Sequence, residues 1–368
     1  MSNRENEAVG AGRPAQSVGE DILRRRENAD AGLGVSRNGR ANCCRGGCDE
    51  KHDVWGDSGV PAGMRRCRSS AEDGAAAGDS VSVGAELFKL PQNIYFGEAS
   101  GVAVNSKGHI FVFSRGNTTG PAYGAAAAQL LEFDANGNYV REIGHNLYAW
   151  SYAHTVKVDA HDDIWATDKG SDMVVEFNPE GRVIMVLGRK QEASDEHTGP
   201  LHHPNPPLPP VDGLFRQVTD VAWDAEGNTY VSDGYINSRI AKYDKYGNWV
   251  KSWGTPGDGP GQFNTPHSIA VDARGEVYVA DRGNRRIQVF DGDGNFLRQI
   301  TIDVPAPPDA RTLIGPKPTT TKGTMASGAP WAICITPGPH QYLYSADAYP
   351  GRIYKLTLDG NGNCPGDS

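Results

Sequence analysis

Two histidines occupy the same position in two similar segments of the chain. His154 lies in Ala-His-Thr-Val and His267 in Pro-His-Ser-Ile-Ala, each directly before a strand-like run. Neutral imidazole is a common zinc ligand, so two such side chains brought together from distant parts of the sequence could hold a metal ion. The alternative is a pair of polar residues that line a water-filled channel without a metal. His340, in Pro-Gly-Pro-His, stands at another position of its segment and is expected to be solvated.

These two segments belong to a repeat that recurs along much of the chain. Copies of a first strand ending in a polar turn are found at 101–105, 155–159, 220–224 and 268–272, with a weaker fifth copy at 332–336. A second strand follows each copy, and a third follows in turn, as at 239–243 and 286–290. Self-similarity at a period of about 45 to 50 residues predicts sheets arranged around an axis. We therefore predict an all-β propeller with five recognisable four-stranded blades, in which equivalent positions converge on the axis.

Composition separates this domain from an N-terminal segment of different character. The 368 residues include 46 Gly and 24 Pro, which favours many turns and disfavours a helical bundle. Residues 1–82 are rich in small and charged residues without a strand or helix period, so we predict a disordered extension there. Residues 83–368 are predicted to form the propeller. Long insertions that are expected to form loops over its faces lie at 114–130, 188–214 and 303–330.

Charge and hydropathy disfavour several classes of partner. The net charge of −9 repels phosphate backbones, so we expect no nucleic-acid binding. The sequence holds no long apolar run and no signal-peptide pattern near its start, so we expect no membrane insertion and, by default, a cytoplasmic location. The six cysteines are unevenly distributed and do not form a disulfide framework, and the spacing of Cys43, Cys44 and Cys48 fits no common zinc pattern.

Residues that recur at one position in most of the repeats are expected to be structural. Aspartates end the second strand in the later repeats, where they would bind turn amides or pair with arginines between blades; they are Asp168, Asp233, Asp281 and Asp347. Tryptophans are also distributed among the repeats and are expected to pack between blades; they are Trp150, Trp165, Trp223, Trp249, Trp253 and Trp331.

Several stretches resemble known repeats. Ser232-Asp-Gly-Tyr-Ile-Asn-Ser-Arg239 and Ala280-Asp-Arg-Gly-Asn-Arg-Arg-Ile-Gln-Val-Phe290 are similar to NHL repeats. More narrowly, residues 95–300 resemble the catalytic core of the peptidyl-α-hydroxyglycine α-amidating lyases, through Ser100-Gly-Val-Ala-Val, His154-Thr-Val, Ser232-Asp-Gly-Tyr and Pro266-His-Ser-Ile-Ala. The resemblance implies an NHL-type propeller of six blades, and no sixth blade is recognisable after the fifth repeat.

The resemblance also implies two metal sites. In the lyases, three histidines from alternate blades hold zinc, and the last is followed by an acidic residue that helps to bind a structural calcium. The implied zinc ligands here are His154 and His267, and the implied calcium ligands are the backbone carbonyls of Val102 and Val156. No counterpart of the third histidine or its acidic neighbour is recognisable, so we expect an incomplete zinc set.

Three further residues match positions that the lyases use in catalysis. Tyr235 matches the presumed general base on the substrate hydroxyl; because a tyrosine pKa is ordinarily near 10, this role requires a nearby cation or metal. Arg115 and Arg282 match arginines that position the substrate, and a planar guanidinium suits a carboxylate. An arginine after Ala-Asp is also common in NHL repeats, where it can bridge blades, so Arg282 could instead be structural.

The leading hypothesis is a lyase that cleaves a peptidyl-α-hydroxyglycine into the peptide amide and glyoxylate. The alternative is a non-catalytic NHL propeller that binds a peptide, protein or small ligand at the channel mouth. The alternative gains weight because the cysteines of the animal lyases, which are secretory, are absent, with Ile236 in place of the one after Tyr235. A sugar lactonase would need converging carboxylate and asparagine ligands, and is disfavoured because the equivalent positions are Ser100, His154, Thr219 and His267.

Overall fold

The computed structural model describes residues 87–116, 128–190, 209–312 and 315–358. The predicted disordered extension at 1–82 lies outside these residues, as do parts of the three predicted insertions. Within the described residues the regular elements are strands, apart from one 3-10 turn at Arg282–Asn284. The described part of the chain contains no helix long and apolar enough to cross a bilayer.

Five antiparallel sheets follow one another along the chain, each with its strands in sequence order. The first sheet contains β1 (Ala99–Val104), β2 (Ile110–Ser114), β3 (Gln129–Phe133) and β4 (Tyr139–Ile143). The second contains β5 (Ala153–Val158), β6 (Ile164–Asp168), β7 (Met173–Phe177) and β8 (Val183–Gly188). The third contains β9 (Asp220–Trp223), β10 (Thr229–Asp233), β11 (Arg239–Tyr243) and β12 (Trp249–Trp253).

A short parallel pair, β13 (Thr255–Pro256) and β14 (Gln262–Phe263), precedes the fourth sheet. The fourth sheet contains β15 (Pro266–Val271), β16 (Val277–Asp281), β17 (Arg286–Phe290) and β18 (Phe296–Ile300). The fifth contains β19 (Ala332–Ile335), β20 (Gln341–Ala346) and β21 (Ile353–Leu358). The arrangement confirms the predicted all-β propeller with five blades; the fifth sheet has three strands in the described part of the chain.

Local sequence explains where the strands turn. In the first four sheets, an Asp or Asn follows the last residue of the first and third strands, and its side chain accepts backbone N–H bonds from the turn. Asp134, for example, accepts from the amides of Asn136 and Asn138, and Gly137 takes a positive φ of 76°. Glycine adopts this conformation without the steric cost that other residues meet. The Asp-x-x-Gly spacing therefore ends the strands at regular intervals.

Apolar cores lie between consecutive sheets. The core between the first and second sheets contains Phe113, Trp150 and Phe177, and comparable clusters join each later pair of sheets. The other face of the first sheet is covered at Val112, Leu131 and Phe133 by apolar residues from the segment 88–96. Burial between sheets is thus the main stabilising interaction, because a single blade cannot bury both of its faces.

The first strand of each sheet faces a central cavity of about 1000 Å³, which is lined by residues from β1, β5, β9, β15 and β19. Consecutive first strands are in contact, most closely β1 with β5 and β15 with β9 and β19. Residues along the first strands, and those just after the second strands of three sheets, therefore line the cavity. This geometry brings together side chains that are distant in sequence.

The recurring aspartates have the expected structural role. The Asp168 carboxylate accepts from the amides of Ser151, Tyr152 and Ser171. Those of Asp233, Asp281 and Asp347 likewise accept from backbone amides, and the first two also pair with arginines of the following strand. Each of these carboxylates fastens the segment before its sheet to the end of the second strand.

Substituting Gly101→Ala should destabilise the propeller by forcing the first two sheets apart. A Cβ at this position would lie 2.6 Å from the Val156 nitrogen and 3.0 Å from the Thr155 Cα. Overpacking of this kind costs about 1–3 kcal/mol of unfolding free energy, which urea unfolding measures. The neighbouring Val102→Ala is the control, because the Val102 side chain is 65% exposed and its loss should have a small effect. Equal stabilities for the two variants would contradict close strand contact.

Candidate active site

The two candidate metal ligands meet at the cavity. His154 lies in β5 and His267 in β15, and their ring centroids are 4.7 Å apart. His154 is buried and His267 half-buried, and both line the cavity. The approach of these imidazoles, expected from the repeat, is therefore present in the structure. His340 lies in an exposed bend between β19 and β20, away from the cavity lining.

Backbone carbonyls of neighbouring sheets orient both rings. His154 Nδ1 lies 2.6 Å from the Thr219 carbonyl oxygen, and His267 Nδ1 lies 2.6 Å from the Trp331 carbonyl oxygen. Because a carbonyl only accepts, each Nδ1 carries the proton and each Nε2 keeps a lone pair. Both Nε2 atoms face the Tyr235 hydroxyl, at 3.5 Å for His154 and 3.0 Å for His267. Metal-binding histidines are commonly oriented in this way.

The surroundings also keep both imidazoles neutral. Burial, reinforced by the positive charges of Arg115 and Lys169, lowers the pKa of His154 to about 3. Burial and the Arg282 charge hold the pKa of His267 well below its usual value. A neutral imidazole is the form that binds a metal, so both rings are ready to bind one without first losing a proton.

The histidine pair fits zinc as part of a ligand set. A catalytic zinc ordinarily has three protein ligands and one open position. In the described part of the chain, no third His, Cys, Asp or Glu joins the pair; the one cluster of three such groups there is Asp159, His161 and Asp163, at a turn of the second sheet. The described residues thus supply two imidazoles and leave further coordination positions open.

The implied calcium site is less complete. Val102 and Val156 line the cavity on the adjacent strands β1 and β5. Calcium takes about six to eight oxygen ligands, usually with carboxylates among them. Of the two carboxylates in the described cavity lining, Glu98 pairs with Arg115 at 2.6 Å and Asp220 with Lys157 at 2.8 Å. Both carboxylates thus already have cationic partners, and the calcium expectation stays a prediction.

Three cations surround the mouth of the cavity beside the histidines. Arg115, Lys169 and Arg282 each directly follow the second strand of their sheets, the first, second and fourth. The third sheet has Gly234 at this position, where a Cβ would lie 1.7 Å from the Pro266 carbonyl oxygen. No side chain fits there, and the next residue, Tyr235, extends into the cavity instead.

The two predicted arginines have different environments. Arg115 Nη1 pairs with Glu98 Oε1 at 2.6 Å, Arg115 Nε donates to the Ala153 carbonyl at 2.9 Å, and its guanidinium stacks 4.0 Å from the Tyr152 ring centroid. The guanidinium of Arg282 stacks 4.4 Å from the Trp331 ring centroid and lies 5.3 Å from that of Tyr235.

Arg282 contacts rings that belong to the third and fifth sheets, and it does not pair with the aspartate before it. The aspartate before it, Asp281, pairs instead with Arg286 at 2.8 Å. Arg282 is only 6% exposed, and its Nε has no hydrogen-bond partner in the described part of the structure. A buried donor without an acceptor is costly, so its presence beside a cavity indicates a place for an acceptor from a ligand.

Sequence reasoning missed three residues of this site. Lys169 could have been found by aligning the repeats, because it stands at the position of Arg115 and Arg282. Tyr152 gave no sequence signal; it contributes the ring on which Arg115 stacks. Trp331 was expected only to pack between blades; its ring also stacks on Arg282 at the cavity, and its carbonyl orients His267.

Comparisons with known proteins agree with the fold. Residues 263–290 match the NHL repeat family model. The chain is 32% identical over 229 residues to the peptidylglycine alpha-amidating monooxygenase of Rattus norvegicus, covering 55% of this chain and 22% of the rat protein. A probable peptidyl-alpha-hydroxyglycine alpha-amidating lyase of Caenorhabditis elegans is 30% identical over 221 residues, covering 55% of this chain and 58% of that protein.

A relative without an activity in its name matches equally well. NHL repeat-containing protein 3 of Mus musculus is 33% identical over 236 residues, covering 57% of this chain and 59% of that protein. The chain therefore spans between about a fifth and three fifths of the length of these relatives. The matches confirm the resemblance to NHL-repeat proteins and to the amidating lyases.

Lowering the pH should destabilise the metal-free protein before most carboxylates titrate. The pKa of His154 is about 3 in the folded state and near 6.5 in an unfolded chain. Between these values the unfolded chain binds a proton that the folded protein does not, so the unfolding free energy falls as the pH drops. From about pH 7 to 5 the fall is about 2 kcal/mol for this residue.

Urea unfolding across this pH range measures the effect. His154→Gln should show a shallower pH dependence than the wild type, whereas the exposed His340→Gln should not change it. Identical slopes for His154→Gln and the wild type would mean that His154 is not held neutral.

Proposed function

We propose that this propeller cleaves a peptide bearing a C-terminal α-hydroxyglycine into the peptide amide and glyoxylate. One observation carries the proposal: two neutral imidazoles, a tyrosine hydroxyl and three cations converge on one cavity. The relative of Caenorhabditis elegans whose name includes this lyase activity supports it. The proposal concerns this cleavage alone and not the whole activity of the longer relatives.

The reaction requires the removal of one proton from the substrate and the addition of another to the leaving nitrogen. The hydroxyl of the substrate loses its proton as the carbon–oxygen double bond of glyoxylate forms. The bond between that carbon and the amide nitrogen breaks, and the nitrogen takes up a proton to give the peptide amide. A base near the hydroxyl and a fixed position for the carboxylate are therefore the main requirements.

Tyr235 is the proposed base. Its hydroxyl lies 3.0 Å from His267 Nε2, and Lys169 Nζ lies 3.9 Å from its ring centroid. The guanidinium of Arg282 lies 5.3 Å from the same ring centroid. As the base, Tyr235 would act from its phenolate form, and cations placed in this way attract a negatively charged oxygen.

Arg115 and Arg282 are proposed to hold the substrate carboxylate. Both line the cavity, and the buried Nε of Arg282 lacks a partner that a carboxylate oxygen would supply. Charge-assisted hydrogen bonds from a guanidinium are strong and directional, so they fix the α-carbon of the substrate relative to Tyr235. The stacked rings of Tyr152 and Trp331 restrict the orientation of the two guanidinium groups.

His154 and His267 would hold a zinc ion through their Nε2 atoms. When bound, zinc supplies a Lewis acid that polarises an oxygen of the substrate. The contribution of the chain is the preparation of the two rings: the carbonyls of Thr219 and Trp331 fix the tautomer, and burial keeps the proton off Nε2.

A non-catalytic propeller that binds a peptide, protein or small ligand at the same cavity is the second candidate. The observation that favours it is the presence of two imidazoles, and no third, in the described cavity lining. The similarity to NHL repeat-containing protein 3 also supports it. Metal content and turnover separate the two candidates.

Glyoxylate release from a synthetic hydroxyglycine peptide, with and without added zinc, is the direct test. Tyr235→Phe should lower kcat by about 10²- to 10⁴-fold, because it removes the proposed base. The exposed Tyr148→Phe is the matched control and should keep the wild-type rate. Absence of turnover in the wild type under both conditions would favour the binding function.

Zinc content tests the role of the histidines separately from turnover. After zinc loading and desalting, the wild type should keep zinc in stoichiometric amount, and His154→Ala or His267→Ala should lose it. His340→Ala should keep it, since that ring lies outside the cavity lining. A wild type that holds no zinc would remove the proposed metal site.

A further inference from the structure

Lys169 is positioned like the two arginines of the site. It is the first residue after β6, as Arg115 is after β2 and Arg282 is after β16. Because equivalent positions meet at one end of the cavity, its ammonium is directed to the same region as the two guanidinium groups. Lys169 Nζ lies 3.9 Å from the ring centroid of Tyr235 and 5.4 Å from that of Tyr152.

The contacts place Lys169 at the reacting end of the cavity. Its nearest ring is that of Tyr235, whose hydroxyl lies beside both histidines. The preceding Asp168 carboxylate is held by the backbone amides of Ser151, Tyr152 and Ser171. Asp168 therefore forms the structural hydrogen bonds at this end of the sheet, and the Lys169 side chain extends into the cavity.

Burial and like charges make the position of Lys169 unfavourable for a positive charge. Burial and repulsion from Arg115 and Arg282 lower the pKa of Lys169 to about 8, against the attraction of Asp172. Within the described cavity lining the carboxylates are Glu98 and Asp220, which pair with Arg115 and Lys157. Three cations brought this close repel each other, and a bound anion would relieve the repulsion of all three.

We propose that Lys169 binds the substrate carboxylate together with Arg115 and Arg282, and thereby selects acidic ligands over neutral ones. The identity of the ligand rests on the proposed lyase function, whereas the selection for a carboxylate rests on the three cations. The Lys169 ammonium acts on binding, because the substrate and glyoxylate both carry the carboxylate and the peptide amide does not. The neutral product is therefore held less tightly than the substrate.

Titration calorimetry with glyoxylate as the probe tests this. Lys169→Met keeps the length of the side chain without its charge and should weaken glyoxylate binding by about 10-fold or more. Lys169→Arg keeps the charge and should stay within about 3-fold of the wild type. Lys190→Met is the matched control, since Lys190 also stacks on a tyrosine ring, at 4.5 Å, but lies outside the cavity lining.

Further readouts separate this role from a structural one. With the hydroxyglycine peptide, Lys169→Met should raise KM by about 10-fold or more and change kcat less. Binding of the peptide amide, which lacks the carboxylate, should not change. If Lys169→Met does not fold, Lys169→Gln replaces it with the same expected loss.

The outcomes distinguish this inference from the proposed function. Equal glyoxylate affinity in the wild type and Lys169→Met, or no binding in the wild type, would overturn the role of Lys169. A wild type that binds glyoxylate in a Lys169-dependent way but does not release it from the peptide would support the carboxylate site and refute the lyase.

Discussion

Two hydrogen bonds from imidazole to backbone hold the site together. His154 Nδ1 donates to the Thr219 carbonyl and His267 Nδ1 to the Trp331 carbonyl, each across the boundary to the next sheet. Each bond fixes the plane of a ring, selects its tautomer and leaves Nε2 facing the Tyr235 hydroxyl. Each also requires the first strands of neighbouring sheets to stay in contact. The chemistry of the cavity therefore depends on the packing between blades, and a change that separates two sheets would also misorient a histidine.

The charges around the cavity form a second constraint. Arg115, Lys169 and Arg282 lie close to two imidazoles that they help to keep neutral. Such an arrangement costs stability, because like charges are held together in a partly buried place. Functional sites commonly retain unfavourable electrostatics of this kind, since the same charges become favourable when a ligand of opposite charge binds. The pairing of Glu98 with Arg115 reduces the cost without removing the positive character of the cavity mouth.

The repeat explains how one fold supports a site of unlike residues. The position after the second strand is Arg115 in the first sheet, Lys169 in the second, Gly234 in the third and Arg282 in the fourth. The aspartate that precedes it in the second to fourth sheets accepts from a backbone amide of the segment before its sheet each time. The residues that recur in each repeat thus stabilise the scaffold. The residues that differ between repeats at the equivalent position supply the chemistry.

Much of the fold could be predicted from the sequence by itself, because alternation within strands and the Asp-x-x-Gly turns are local signals. The repeat register also predicted that His154 and His267 would meet, since equivalent positions of a propeller share one end of the axis. The tautomers, the exclusion of a side chain at Gly234, the stacking of Trp331 on Arg282 and the place of Lys169 were decided only by the tertiary structure. Each depends on an atom from another sheet, and no pattern within one repeat specifies which atoms of its neighbours will lie within contact distance.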